Sequence, residues 1–184
     1  MNPMERLIAV QSKQDIPSEY QDTPVGLLFE YHNFGRTKDV YTNAQLLIGM
    51  CMDNRKCLNI PPHFAFILRT GGVNLRYSGF KVSYAIAVGG VRQVVLIGHT
   101  QCGMVNLESK REQFVKGLVE GAGWDVKVAE EHFAKFFPMF EIGNEIDFIL
   151  SEAKRLKITY PKIDIVPLMY RIEDNLLYQI KESA

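Results

Sequence analysis

SGFKVSYAIAVGGVRQVVLIGHTQCG, residues 78–103 of the 184-residue chain, decides the fold. Its first half repeats apolar residues at helical spacing (Val82, Ala85, Ile86), which predicts a helix over residues 78–88. Gly89-Gly90 ends that helix, and residues 93–97 follow as a buried strand, the third in chain order, apolar from Val94 to Ile97. Working outward, residues 44–50 form an apolar run interrupted only by Gln45, and residues 64–68 form another behind Pro61-Pro62. Both read as strands buried on two faces. A strand, a helix and a further strand in that order require a parallel sheet, because a chain that reverses through a helix returns to the same end.

Beyond Cys102, helical patterns cover residues 105–120, 124–136 and 144–157, separated by Gly121, Gly123, Pro138 and Gly143. Residues 163–165 and 176–180 flank the turn cluster Glu173-Asp174-Asn175 and predict a hairpin at a sheet edge. At the other end, residues 4–14 read as a short amphipathic helix, and the stretch holding Pro17 and Pro24 as an irregular arm. The expected fold class is α/β, a mainly parallel central sheet flanked by helices with a C-terminal edge hairpin. Residues 1–43 are assigned to an N-terminal helix and arm, and residues 44–184 to one α/β domain.

Composition narrows the function classes. With 47% hydrophobic and 23% charged residues the chain is an ordinary globular one, and 21 basic residues balance 21 acidic ones. That balance leaves no electrostatic footprint for nucleic acid or an anionic membrane. No apolar run approaches the ~18 residues of a membrane span. The first residues lack a long apolar core and carry Glu5, so the expected location is the cytoplasm. Three cysteines in such a chain point to metal or chemistry before disulfides.

Cys51 directly follows the run at 44–50, and His99 and Cys102 directly follow the run at 93–97. In an open parallel sheet the crevice beyond the carboxyl ends of the strands binds ligands, so two strands deliver soft donors to one place. Two thiolates and an imidazole suit Zn2+, whose catalytic sites use three protein ligands and leave a fourth position for water. Asp53 stands two residues past Cys51, and Arg55, two further on, has the planar fork that grips a carboxylate. The rival reading makes Cys102 a nucleophile on a strand-to-helix turn with His99 or Asp53 as partner, and it leaves the other cysteine idle. Cys57 has no neighbouring ligand and reads as a core thiol. His32, His63 and His132 read as surface or satisfied histidines, Gly71-Gly72 either as a plain turn or as a place where backbone approaches the pocket, and Trp124 with Phe133, Phe136 and Phe137 as a helix packing stripe.

Cys51-x-Asp53-x-Arg55 with His99-x-x-Cys102, joined by Arg69-Thr70-Gly71-Gly72 and the helix from Ser78, resembles the β-class carbonic anhydrase family, in particular its short prokaryotic members. The resemblance runs from about Ala44 through Gly103, with a weaker echo in the C-terminal hairpin. It implies zinc held by Cys51, His99 and Cys102, an Asp53–Arg55 catalytic dyad, and a homodimer or larger even homo-oligomer. The implied reaction is reversible hydration of carbon dioxide to bicarbonate by a zinc-activated hydroxide. Alternatives on the same residues are hydrolysis of carbonyl sulfide or carbon disulfide, and a zinc-stabilised relative without turnover. A further expectation is that Asp53 itself closes the zinc site at acid pH and leaves for Arg55 as pH rises. Three positions depart from the family pattern: Asn54 where Ser is usual, Gln101 where an acid is frequent, and Thr70-Gly71-Gly72-Val73 where the family has an Asn-Ala-Gly-Asn-like stretch.

Overall fold

A computed structural model describes residues 3–181. Its elements are β1 (Leu7–Ala9), α1 (Pro24–Phe34), β2 (Leu46–Cys51), β3 (Ala65–Thr70), α2 (Gly79–Ala87), β4 (Gln93–His99), α3 (Arg111–Ala122), α4 (Val126–Phe140), α5 (Glu145–Thr159), β5 (Asp164–Arg171) and β6 (Leu176–Ile180). Among the described residues the strands form one six-stranded sheet in the order β1-β6-β5-β4-β2-β3. β2 pairs in parallel with β3 and β4, and β4 with β5, whereas β6 runs antiparallel to both β5 and β1. The mainly parallel sheet and the C-terminal hairpin are both present, and β1 adds a strand outside that hairpin.

β2 and the middle of β4, Val94–Gly98, are apolar because helices cover both faces. Alternation then divides their side chains between two cores. Leu46, Ile48 and Met50 of β2, with Val95 and Ile97 of β4, pack on the α1 side against Val25, Leu28 and Phe29. Leu47 and Cys51 of β2, with Val94 and Leu96 of β4, pack on the α2 and α5 side against Val82, Ala85 and Ile149. Gly98 lets α5 approach the end of β4: a Cβ there would stand 2.7 Å from both Ile149 Cγ1 and Met169 Sδ.

Several expectations need correction. β3 is not buried on two faces: it is the outer strand, and Phe66 and Ile67 remain 38% and 45% exposed. Residues 4–14 do not form an amphipathic helix. A 3-10 turn at Pro3–Arg6 leads into β1, which pairs Leu7 with Ile180. The proline-containing stretch holds a buried helix, α1, because Pro24 sits in the first turn, where its missing N–H costs nothing. Thr23 caps that turn by accepting from the Gly26 N–H, and Gly35, at φ 66°, closes the other end. The helix expected from residue 105 begins at Arg111, since Asn106 adopts a left-handed conformation and a 3-10 turn, Leu107–Lys110, intervenes. Pro138 lies inside α4 instead of ending it. β5 runs on past residue 165 through Pro167, which precedes Leu168, the first residue paired with β6.

Candidate metal centre

Cys51 closes β2, His99 closes β4, and Cys102 follows on the turn after β4, so the parallel register of β2 with β4 brings all three to one end of the sheet. Their ligand atoms lie within 4.8 Å of one another, and all three residues are buried. Cys51 Sγ and Cys102 Sγ are 4.0 Å apart. Two thiolates on one tetrahedral zinc, each at about 2.3 Å, stand about 3.8 Å apart, so the pair is spaced for such an ion. His99 Nδ1 lies 2.9 Å from the Thr100 carbonyl, which assigns its proton to that nitrogen. Nε2 then carries the free lone pair, and among the described residues this buried atom has no hydrogen-bond partner. A buried imidazole nitrogen left unpaired beside two thiols is what a metal ligand requires, so the donor set fits zinc.

The thiols do not ionise independently. Cys51 is held below the usual thiol range, chiefly because the Cys102 thiol donates to it, and Cys102 is correspondingly raised. A cation entering between them replaces that shared proton.

Asp53 and Arg55 form a fork on the outer side of this cluster. Arg55 Nε donates to Asp53 Oδ1 at 3.0 Å and Nη2 to Oδ2 at 2.7 Å. The guanidinium hydrogen bonds hold the Asp53 carboxyl well below the usual carboxylate range. Asp53 Oδ2 lies 4.0 Å from His99 Nε2, so the carboxylate borders the space between the ligand atoms.

Two basic residues to which the sequence reading gave no role fix the main chain here. Lys56 is buried, and its Nζ donates to the carbonyls of Cys51 and Asp53 at 3.3 and 3.4 Å. Arg69 Nη1 donates to the same two carbonyls at 3.2 and 3.4 Å. Burial pulls the Lys56 ammonium down, while the neighbouring cysteines and Asp53 pull it up. Nothing in the local sequence separates Lys56 from a surface lysine, because its burial depends on the loop folding back beneath β2. Glu145, at the start of α5, was also missed; its carboxylate accepts from the Cys102 N–H at 3.1 Å. Gly72 lines the cleft with Val73, Cys102, Ile142 and Glu145, and its φ of 60° explains glycine at that position.

Cys102 does not sit on a nucleophile turn: it is 6% exposed, and α3 begins only at Arg111. Cys57 is exposed and is not a core thiol. His32 is satisfied, with Nε2 2.9 Å from the Asn175 carbonyl and Nδ1 accepting from the Asn59 N–H. His63 is exposed in a left-handed turn. His132 packs among Phe114, Trp124 and Phe136, away from the cluster.

A family model described as carbonic anhydrase matches residues 46–175, from the first residue of β2 to the turn before β6. The chain belongs to the carbonic anhydrase family. Reversible hydration of carbon dioxide, with zinc as cofactor, is therefore its reaction, and Cys51, His99 and Cys102 are positioned to bind the ion. The fold is that of the β-class enzymes. β-carbonic anhydrase isoform I of Trichomonas vaginalis superposes with a TM-score of 0.60 at 16% identity, over 82% of this chain and 91% of that one. The carbonic anhydrase of Glaciozyma antarctica gives 0.57 at 23% identity, over 92% and 98%. A carbon disulfide hydrolase in its apo form gives 0.56 at 21% identity, over 90% and 92%. No curated protein matches the chain.

Proposed function

We propose that this carbonic anhydrase holds zinc through Cys51 Sγ, His99 Nε2 and Cys102 Sγ and works through an Asp53–Arg55 dyad. The observation that carries the ligand assignment is the buried, unpartnered His99 Nε2 facing two thiols 4.0 Å apart. Bound there, zinc supplies a Lewis acid that makes water a nucleophile near neutral pH. Asp53 accepts a hydrogen bond from the attacking water and aims its lone pair at the carbon of the substrate. Arg55 keeps Asp53 ionised and fixes its direction through two parallel hydrogen bonds. Its charge also offsets part of the negative charge of two thiolates, and Lys56, which unlike Arg55 is buried, is a second cation nearby.

The working unit is a homodimer or larger even homo-oligomer in the cytoplasm, acting on a small molecule and on neither nucleic acid nor membrane. β3 leaves its outer edge unpaired among the described residues, and Phe66, Ile67, Phe80 and Tyr84 expose apolar surface beside it. A chain of net charge zero opposes docking of a second copy on that edge only weakly. Among the described residues no helix is long and apolar enough to cross a membrane, and the three cysteines are unpaired thiols. Residues 44–184 are the zinc-binding catalytic domain, and residues 1–43 its N-terminal helix and arm.

Carbon dioxide hydration and zinc content measured on the same preparation test this reading. About one zinc per chain with hydration is expected, and Asp53→Asn should keep the zinc while turnover falls about 100-fold or more. Full zinc without hydration, or sulfide release from carbonyl sulfide or carbon disulfide in its place, would overturn the substrate.

A further inference from the structure

Arg55 is gripped from two sides. Opposite Asp53, Arg55 Nη2 donates to the Gln101 main-chain oxygen at 2.9 Å and Nη1 to Gln101 Oε1 at 3.3 Å. Gln101 presents both oxygens because its backbone is left-handed, at φ 58°, a conformation uncommon for a residue with a long side chain. Gln101 Nε2 in turn donates to Glu173 Oε1 at 2.9 Å, and the second oxygen of that carboxylate accepts from Thr100 Oγ1 at 2.9 Å. Thr100 Oγ1 also accepts from the Ile172 N–H at 3.0 Å, which ties the turn carrying Glu173 to the strand end that carries His99.

An amide side chain has one donor end and one acceptor end. A carboxylate offers only acceptors and a guanidinium only donors, so Glu173 and Arg55 together permit a single orientation of the Gln101 amide. With Glu173 absent, the amide is free to turn its NH2 toward Arg55, where two donors would meet. The negative charge that faces the Gln101 amide comes from Glu173, on the β5–β6 turn. We propose that Gln101 and Glu173 are positioning residues for the reaction: Glu173 orients the Gln101 amide, and Gln101 holds the Arg55 guanidinium in the plane that grips Asp53. This rests on the Asp53–Arg55 reading above.

The test is an exchange of the two side chains. Glu173→Gln replaces the acceptor-only carboxylate that sets the Gln101 amide with an amide that can present either end, and Gln101→Glu places two carboxylates face to face. Each single variant should lower kcat about tenfold, with KM and zinc content little changed. The double variant Gln101→Glu/Glu173→Gln restores an acceptor toward Arg55 and a donor toward that acceptor, so kcat should return to within about twofold of the parent. A direct readout is hydrogen exchange at Arg55 Nε–H, followed by NMR, which should speed up in each single variant and slow again in the double. Single variants with kcat and Nε–H exchange unchanged, or a double variant worse than both singles, would overturn the proposal. Failure of the dyad reading looks different: Asp53→Asn would keep its turnover while Arg55 Nε–H exchange still answered to Gln101 and Glu173.

Discussion

β2 and β3 are neighbours of equal length, six residues each, paired residue for residue from Leu46–Ala65 to Cys51–Thr70. Every residue of β2 is buried, whereas β3 is half open, although both are apolar runs. The difference is position. β2 has a strand on each side and a core on each face, while β3 ends the sheet. Their ends differ as well: β2 delivers Cys51 to the metal cluster, and β3 delivers Thr70, its register partner, whose buried Oγ1 has no hydrogen-bond partner among the described residues. An apolar run therefore reports that surface is to be covered, without saying whether this chain or another copy covers it.

The largest effect should come from breaking the metal cluster at the end of the buried strands. Cys102→Ser replaces a thiolate with a hard, protonated hydroxyl, and Cys51→Ser does the same on β2. Elemental analysis should find zinc reduced to a small fraction of one per chain in both, with hydration lost, whereas Cys57→Ser keeps its zinc. Full occupancy in Cys102→Ser would remove that residue from the ligand set.

Within the strands themselves, Ile48 of β2 is fully buried and Ile67 of β3 is 45% exposed. Ile48→Ala should cost about 2–5 kcal/mol of unfolding free energy through lost burial and a cavity. Ile67→Ala should cost under about 1 kcal/mol at a concentration where the chain is monomeric. Urea titration of both measures the contrast, and equal losses would mean that β3 is covered within a single chain.

What was legible in the sequence follows the same contrast. β2, β4 and α2 are set by local periodicity and by glycine at helix ends, so residues 44–50, 78–88 and 93–97 came within a few residues of the observed elements. The site was legible for a related reason: Cys51, His99 and Cys102 each stand at or just after a strand end, where a parallel sheet gathers ligands. β1 was not legible because three residues carry no pattern of their own; it exists by pairing with β6, some 170 residues away along the chain. α1 carried its signals openly, Thr23 before Pro24 and Gly35 after Phe34, but proline was weighed as a breaker and not as a first-turn residue. Lys56, Gln101 and Glu173 depend on loops meeting across the sheet end, a relation no spacing rule encodes.

A smaller effect, on assembly alone, should follow from charging the outer edge. Ile67→Asp places a carboxylate on β3 where the proposed second copy docks, at an exposed site that a monomer tolerates. Light scattering at micromolar concentration should then give the mass of a single chain, with the circular dichroism of the parent. If the parent protein is itself a monomer, the edge has no partner, and the assembly proposal falls with it.

The smallest effect is expected at Thr70, the register partner of Cys51. Its Oγ1 is buried and has no hydrogen-bond partner among the described residues, so the fold carries an unsatisfied hydroxyl beside the metal cluster. Such a group costs about 1–3 kcal/mol where water is excluded. Valine has nearly the same shape, keeps the branched side chain that strands favour, and removes the hydroxyl. Thr70→Val should therefore leave zinc content unchanged and raise the unfolding free energy by about 1 kcal/mol, a gain read as a higher urea midpoint at constant slope. A lower midpoint would mean that the hydroxyl has a partner in solution. Loss of zinc would place Thr70 within the support of Cys51, and the two strand ends would then act together at the metal.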